Sequence, residues 1–133
     1  MGDLTRNFNL SEFRCKDGTG VPPEYLCNVR VLATNLQVIR AKIGQPLVIV
    51  SGYRTPEHNR TCGGATNSYH LTASAADIRC GGLPPVELHA VILDLIDGGY
   101  VHSGGLGLYD TFVHYDIRGT KARWDERKNK DTK

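Results

Sequence analysis

The longest regular pattern of apolar residues lies between residues 22 and 44. Large apolar side chains recur there at steps of three and four, which is the spacing of one face of an α-helix. The pattern consists of Leu26, Val29, Leu32, Leu36, Ile39 and Ile43. Pro22 and Pro23 mark its start and Gly44 is a C-cap candidate, so we expect the main helix here, with one face in the core.

A second helical pattern covers residues 83–99. Prolines stand at its start, Gly98 stands at its end, and the apolar positions between them follow the helical spacing. Those positions are Leu88, Val91, Ile92 and Leu95. Near the N-terminus, NFNLSEF at residues 7–13 predicts only a short capped turn or helix. The chain is therefore expected to have two main helices.

Shorter runs of β-branched and apolar residues predict strands. PLVIVS at 46–51 has the composition of a buried strand, and AADIRC at 75–80 fits another. In GGLGLYDTFVHYDIRG, residues 104–119, two strands would meet at a tight turn near Asp110, and ARW at 122–124 is a candidate last edge. Helices and strands do not alternate regularly. This favours an α+β fold with a small, mainly antiparallel sheet over a doubly wound fold.

Composition limits the class of protein more than its activity. The chain has 133 residues, 40% of them hydrophobic, with 15 glycines and a net charge of +2, which describes one soluble globular domain rich in turns. No dense basic face for nucleic acid is expected. No apolar stretch approaches the ~20 residues that cross a bilayer, and the N-terminus does not resemble a signal peptide. Residues 125–133 are predicted to form a flexible tail.

The cysteines, Cys15, Cys27, Cys62 and Cys80, form no CxxC pair, so a structural zinc knuckle is not indicated. Because no leader is recognised, the four thiols are expected to be reduced. At least one disulfide bridge is the alternative.

Two pairs of histidine and aspartate are the strongest candidates for a chemical site. In FVHYDIR, strand alternation puts His114 and Asp116 on the face opposite the apolar side chains. His70 precedes Asp77 by seven positions, and residues 73–76 are small enough to let the backbone bend closely. Two histidines and one carboxylate commonly hold a catalytic zinc ion. A polar turn, whose histidine and aspartate cap backbone groups, is the alternative.

The segment SGYRTPEHNR, residues 51–60, follows the first predicted strand. Thr55 and Pro56 have the characters of an N-cap and a first helical position, which puts Arg54 between a strand end and a short helix. Side chains at such junctions often contact ligands.

Three blocks of this sequence resemble the signature blocks of the M15 zinc peptidases: SGYRTPEHN, GGATNSYHLTASAAD and GLGLYDTFVHYD. That family includes D-alanyl-D-alanine carboxypeptidases and dipeptidases and phage L-alanyl-D-glutamate endolysins. The middle block departs from the family pattern at Ala73, where glycine is usual. It matches the pattern at Ser68, His70, Ala75 and Asp77. The resemblance covers residues 9–124 and implies one Hedgehog/DD-peptidase-like domain over residues 1–133.

The resemblance also implies roles for individual residues. It implies a zinc ion held by His70, Asp77 and His114. It assigns Arg54 to the substrate, where a guanidinium would bind a peptide carboxylate or the polarised carbonyl oxygen. The residues expected to support or line the substrate pocket are Tyr53, His58 and Ser68.

The general base is the open role. Many family members carry an acidic residue three positions before the last histidine, and this chain has Thr111 there. Asp116 is the first candidate, because alternation puts it beside His114, but it could equally orient that histidine. Asp110, at the turn, is the second candidate.

The sequence thus predicts a zinc metallopeptidase that cleaves peptidoglycan stem peptides, as a D-Ala-D-Ala carboxypeptidase or a cell-wall endopeptidase of phage or host origin. We expect a monomer, without nucleic acid or membrane as a partner. Synthesis in the cytoplasm would precede action at the cell wall after release, or secretion if a leader has been removed. The alternatives are a zinc-stabilised module that binds wall peptide without turnover, favoured by Thr111 and Ala73, and a disulfide-framed interaction domain without metal.

Overall fold

The computed structural model describes residues 2–128. The α-helices are α1 (Leu26–Ile43), α2 (Pro56–Thr61) and α3 (Pro85–Asp97). The strands are β1 (Leu47–Ser51), β2 (Ala75–Cys80), β3 (Gly105–Leu108), β4 (Val113–Asp116) and β5 (Ala122–Asp125). Short 3-10 turns cover Leu10–Phe13, Pro23–Tyr25 and Tyr69–Thr72. These bounds confirm the two main helices and the predicted strands.

The five strands form one sheet in the order β1-β2-β4-β3-β5. Neighbouring strands are antiparallel except β3 and β5, which pair in parallel. The segment 117–121 carries the chain past the start of β3, so that β5 runs in the same direction as β3. The predicted α+β fold with a small, mainly antiparallel sheet is confirmed.

The apolar faces of both long helices are buried, as their periodicity predicts. Leu26 and Ile43, at the ends of α1, are only partly buried. The buried residues of α1 are Val29, Leu32, Ala33, Leu36 and Ile39. Helix α3 contacts β2, β3, β4 and α1, and buries Leu88, Ile92 and Leu95. Each large aliphatic side chain removed from water contributes roughly 1.5–3 kcal/mol, so this core dominates the stability of the fold.

Proline and glycine mark the two ends of α1. The prolines begin a 3-10 turn, Pro23–Tyr25, and the α-helix itself begins later than the prolines suggest, at Leu26. The helix ends at the predicted Gly44, whose φ of 68° is left-handed and whose N–H donates to the carbonyl of Arg40. Glycine takes this conformation without the steric cost that other residues meet.

The start of the predicted C-terminal tail is attached to the sheet. Asp125 ends β5, and the N–H of Glu126 donates to the carbonyl of Leu108 at 2.8 Å. Residues 129–133 of that tail lie outside the described residues.

All four cysteines are free thiols, Cys15 and Cys80 buried and Cys27 and Cys62 exposed. Within residues 2–128, no helix combines the length and the apolar character that a membrane span requires.

Substitution on the two faces of α1 tests this packing. Leu32 is fully buried, so Leu32→Ala should lower the free energy of unfolding by about 2–5 kcal/mol. The neighbouring Val31 is 49% exposed, and Val31→Ala should change that free energy by no more than about 0.5 kcal/mol. Urea unfolding of both variants measures the difference, and equal losses would contradict the assigned buried face.

Candidate metal centre and active-site cavity

Three side chains that the sequence predicts as metal ligands meet in the structure. His70 Nε2 lies 3.3 Å from Asp77 Oδ1, and His114 Nδ1 lies 3.0 Å from the same oxygen. The three candidate ligand atoms are all within 4.8 Å of one another, and all three residues are buried. Two imidazoles and a carboxylate at this spacing form a donor set that can hold a metal ion.

The pairing of β2 with β4 brings Asp77 and His114 together. They are direct partners in the antiparallel register. Side chains of directly opposed residues point to the same face, with Cβ atoms about 4.5–5.5 Å apart. Both strands are internal, because β1 covers the outer flank of β2 and β3 covers that of β4. The pair is therefore fixed at the centre of the sheet.

His70 reaches this pair from the 3-10 turn that precedes β2. The turn closes at Ala73, whose φ of 57° is left-handed. The N–H of Ala73 donates to the carbonyl of His70, and Ser68 Oγ accepts from the N–H of His70. A left-handed backbone favours glycine, which explains why a glycine is usual at this position in the family pattern.

His70 is oriented by the ring nitrogen that faces away from Asp77. Its Nδ1 lies 2.7 Å from the carbonyl oxygen of Gly52. A carbonyl can only accept a hydrogen bond, so Nδ1 carries a proton, and Nε2 is the ring nitrogen that faces Asp77. Ligand histidines in metal sites are commonly oriented in this way.

Asp77 is held from its other side by Arg54. Arg54 Nη2 donates to Asp77 Oδ2 at 3.2 Å, while Nε and Nη1 donate to Ser51 Oγ and Asn59 Oδ1. Burial raises the pKa of Asp77, but the hydrogen bonds from the two histidines outweigh it and hold this pKa below its usual range. Asp77 is therefore ionised at neutral pH, as a metal ligand must be.

Asp116 holds His114 by its other ring nitrogen. Asp116 Oδ2 lies 2.7 Å from His114 Nε2, and the aspartate is fully buried. Arg118 donates to both carboxylate oxygens, and the N–H of Gly105 donates to Oδ1. Burial raises the pKa of Asp116, but the bonds from His114 and Arg118 outweigh it and keep this pKa below its usual range. The ionised carboxylate can only accept, so Nε2 carries a proton, and Nδ1, which faces Asp77, is the nitrogen that His114 would offer to a metal ion.

A cavity of about 580 Å³ opens over the three candidate ligands. Its walls include the loop of residues 62–68, which leads into the 3-10 turn at Tyr69–Thr72, and Tyr69 itself. Arg54 and Arg118 line it as well. Within residues 2–128, Asp77 is the only acidic side chain among the lining residues. The volume is in the range of sites that enclose small organic ligands.

Aromatic side chains complete the cavity beside His114. The ring of Trp124, from β5, lies 5.1 Å from that of His114 between centroids. Trp124 Nε1 donates to the hydroxyl of Tyr109 at 2.9 Å, and the Tyr109 ring stacks on Phe112 at 4.4 Å. All three aromatic residues line the cavity, so a ligand would meet flat apolar surfaces next to the candidate metal site.

Some of the residues predicted to bind substrate line the cavity in the structure, and others do not. Arg54 and Ser68 line the cavity, whereas Tyr53 is buried and does not. His58 lies on α2 outside the lining, with Nε2 3.3 Å from the Sγ of Cys62, which does line the cavity.

Neither candidate for the general base lines the cavity. Asp116 is buried and bonded to His114. Asp110 is exposed in the turn between β3 and β4, where its Oδ2 accepts from the N–H of Lys128 at 3.0 Å.

Several residues of the cavity were not predicted from the sequence: Tyr109, Phe112, Arg118 and Trp124. Extending the strand alternation from His114 and Asp116 by two more positions would have indicated Arg118. No such signal existed for Trp124, because its place depends on the parallel pairing of β5 with β3.

Residues 5–116 match the model of the family described as Peptidase M15. The chain belongs to the peptidase M15 family. A curated relative of this M15 chain is a Haemophilus influenzae protein named probable peptidoglycan L,D-endopeptidase MepK. The two are 32% identical over an alignment of 100 residues, which covers 70% of the M15 chain and 48% of the relative. The M15 chain thus spans about half the length of this relative.

The donor set of this M15 chain fits zinc. Zinc takes nitrogen and oxygen ligands of the types offered by His70, Asp77 and His114. Each ligand side chain is also held by a second protein group: a backbone carbonyl, a guanidinium and a buried carboxylate. Such supporting hydrogen bonds orient ligands and raise metal affinity.

The contact between Asp116 and His114 depends on Gly105. A Cβ at this position would overlap the carboxylate of Asp116. We expect Gly105→Ala to displace Asp116 and to weaken zinc binding roughly 10- to 100-fold, the usual effect of losing a group that supports a ligand. Competition titration against a chromogenic chelator measures this affinity.

Gly119→Ala is the matched control, because no atom of residues 2–128, apart from its two chain neighbours, lies within 4 Å of a Cβ there. Circular dichroism of both metal-free variants separates an effect on zinc from a loss of fold. If folded Gly105→Ala binds zinc as tightly as Gly119→Ala, the role given to Asp116 is wrong.

Proposed function

We propose that this chain is a zinc-dependent peptidase that cleaves the stem peptides of peptidoglycan. The observation that carries the proposal is the meeting of His70, Asp77 and His114 beneath an open cavity in a chain of the M15 peptidase family. The name of the curated relative favours an endopeptidase acting at an L,D bond over a D-alanyl-D-alanine carboxypeptidase.

Zinc bound at this site would supply a Lewis acid that polarises a peptide carbonyl and makes water nucleophilic near neutral pH. The protein's part is to keep Asp77 ionised and to turn Nε2 of His70 and Nδ1 of His114 toward it. The central strands hold these atoms in place before substrate arrives, which reduces the reorganisation needed for catalysis.

Arg54 would bind the oxygen of the reacting carbonyl or a carboxylate of the peptide. Its partners are Ser51, Asn59 and Asp77, and a guanidinium carries more N–H donors than these three use. The side chain lines the cavity and is 14% exposed. A remaining N–H would stabilise negative charge that develops on a substrate oxygen.

Asp116 is assigned the role of orienting His114 and not that of general base. It is fully buried, and its oxygens accept hydrogen bonds from His114, Arg118 and Gly105. A general base must lie within hydrogen-bond reach of the proton that it accepts. Asp116 is separated from the cavity by the groups that it bonds.

One observation favours a second function. Among residues 2–128, no carboxylate other than Asp77 lines the cavity, and Thr111 stands where many family members carry an acid. Without a group to accept a proton, the cavity would hold a stem peptide and leave it uncut. The alternative is therefore a zinc-stabilised module that binds cell-wall peptide.

Metal removal and two aspartate variants test the proposal. The zinc-loaded protein should release amino groups from purified stem peptides, a chelator should abolish the release, and added zinc should restore it. Asp116→Asn should bind zinc roughly 10- to 100-fold more weakly, yet recover most of its activity at saturating zinc. Asp110→Asn should match the wild type, because Asp110 is exposed outside the cavity.

The outcomes separate the candidate roles. Zinc binding without hydrolysis of any stem peptide would favour the binding module. Activity that stays lost in Asp116→Asn at saturating zinc would make Asp116 the general base. Hydrolysis that survives complete removal of zinc would contradict the metal requirement.

A further inference from the structure

Arg118 lines the cavity, but the assigned roles of metal ligand and carbonyl-binding group do not use its exposed part. Its side chain is 21% exposed. The guanidinium carbon lies 4.3 Å from the centre of the Tyr69 ring and 5.3 Å from that of Trp124. Stacking on aromatic rings attracts a guanidinium and limits its motion, so Arg118 is presented in one orientation.

Asp116 occupies only one edge of this guanidinium. Arg118 Nε lies 2.9 Å from Oδ1, and Nη2 lies 2.7 Å from Oδ2, which is the bidentate geometry of an arginine with a carboxylate. Within residues 2–128, Nη1 of Arg118 makes no hydrogen bond. This atom is not fully buried either, because the one buried side-chain nitrogen or oxygen without a partner among these residues is Nε of Arg123. The N–H groups of Arg118 Nη1 therefore remain accessible.

The charges around the cavity favour a negatively charged ligand. The positive charges of Arg54 and Arg118 balance the negative charges of Asp77 and Asp116. A bound dication would therefore give the site a net positive charge. In the low-dielectric surroundings of a partly enclosed site, such a field acts more strongly than in bulk water. A free carboxylate is the anionic group that a stem peptide offers.

We propose that Arg118 Nη1 binds a free carboxylate of the substrate and makes the protein prefer acidic stem peptides to amidated ones. This inference rests on the proposed function, which supplies the peptide. Arg118 then has two contacts: one edge holds Asp116, and the other binds the substrate. A planar guanidinium suits the task, because it meets a planar carboxylate edge to edge.

A set of synthetic stem peptides tests the inference. In each peptide one free carboxylate is replaced by a carboxamide. For one position, amidation should lower the kcat/KM of the wild type roughly 10- to 100-fold, mainly through KM, which corresponds to the loss of a charged hydrogen bond. In Arg118→Gln, the acid and the amide at that position should be cleaved with similar kcat/KM.

The ratio of kcat/KM for the acid peptide to that for the amide peptide reports on the contact between Arg118 and the substrate carboxylate. It does not depend on the support that Arg118 gives to Asp116. Damage to that support lowers the hydrolysis of all peptides together and leaves the ratio unchanged. Arg79→Gln is the control, because Arg79 is exposed on β2 outside the cavity lining and should keep the wild-type ratio. A wild-type ratio near one at every position, or a ratio that persists in Arg118→Gln, would overturn the inference.

Failure of the proposed function gives a different result. If the zinc-loaded wild type hydrolyses no peptide, isothermal titration calorimetry with the same peptides gives the ratio of Kd values. A preference for one acid peptide that disappears in Arg118→Gln supports the role of Arg118 even in a binding module. Equal Kd values, or no binding of any peptide, would overturn it.

Discussion

The antiparallel pairing of β2 with β4 is the constraint on which the candidate site depends. It sets Asp77 opposite His114 at the centre of the sheet. Ile78 and Tyr115, the neighbours of these residues, are buried. Successive side chains on a strand point to opposite faces, so a slip of one residue would carry apolar side chains to the site and ligands to the core. The core and the ligand set thus select the same register.

Around this pair, each buried carboxylate lies between an arginine and at least one histidine. Asp77 lies between Arg54 and the two histidines, and Asp116 lies between His114 and Arg118. A buried carboxylate is costly unless it is paired, and here each one meets an arginine. The low pKa of Asp77 follows from its hydrogen bonds with the two histidines, and that of Asp116 from its bonds with His114 and Arg118. Removing one of these side chains would take away a partner of a buried carboxylate. The geometry of the candidate ligands and the balance of buried charge therefore depend on the same residues.

The sequence predicts the long helices and the central strands because their apolar periodicity is regular and their ends carry proline or glycine. It does not predict the partner of β5, since a three-residue pattern such as ARW carries no information about which strand it joins. Trp124 was not predicted at the site for the same reason, because it lies on β5. Tyr53 was expected at the pocket but is buried, because it follows the end of β1, where strand alternation no longer gives the direction of a side chain. Grouping His70 with Asp77 and His114 needed the family resemblance, since spacing left a polar turn as an alternative.

X-ray absorption spectroscopy at the zinc edge of the zinc-loaded protein identifies the atoms that bind the metal ion. If His70, Asp77 and His114 hold zinc, the spectrum should show two imidazole nitrogens and at least one oxygen at about 2.0–2.2 Å, with one imidazole lost in His114→Ala. Cys62 lines the same cavity, so sulfur is a real competitor as a ligand. A scatterer at about 2.3 Å, the distance of a thiolate, or a spectrum unchanged in His114→Ala would contradict the assignment of His70, Asp77 and His114.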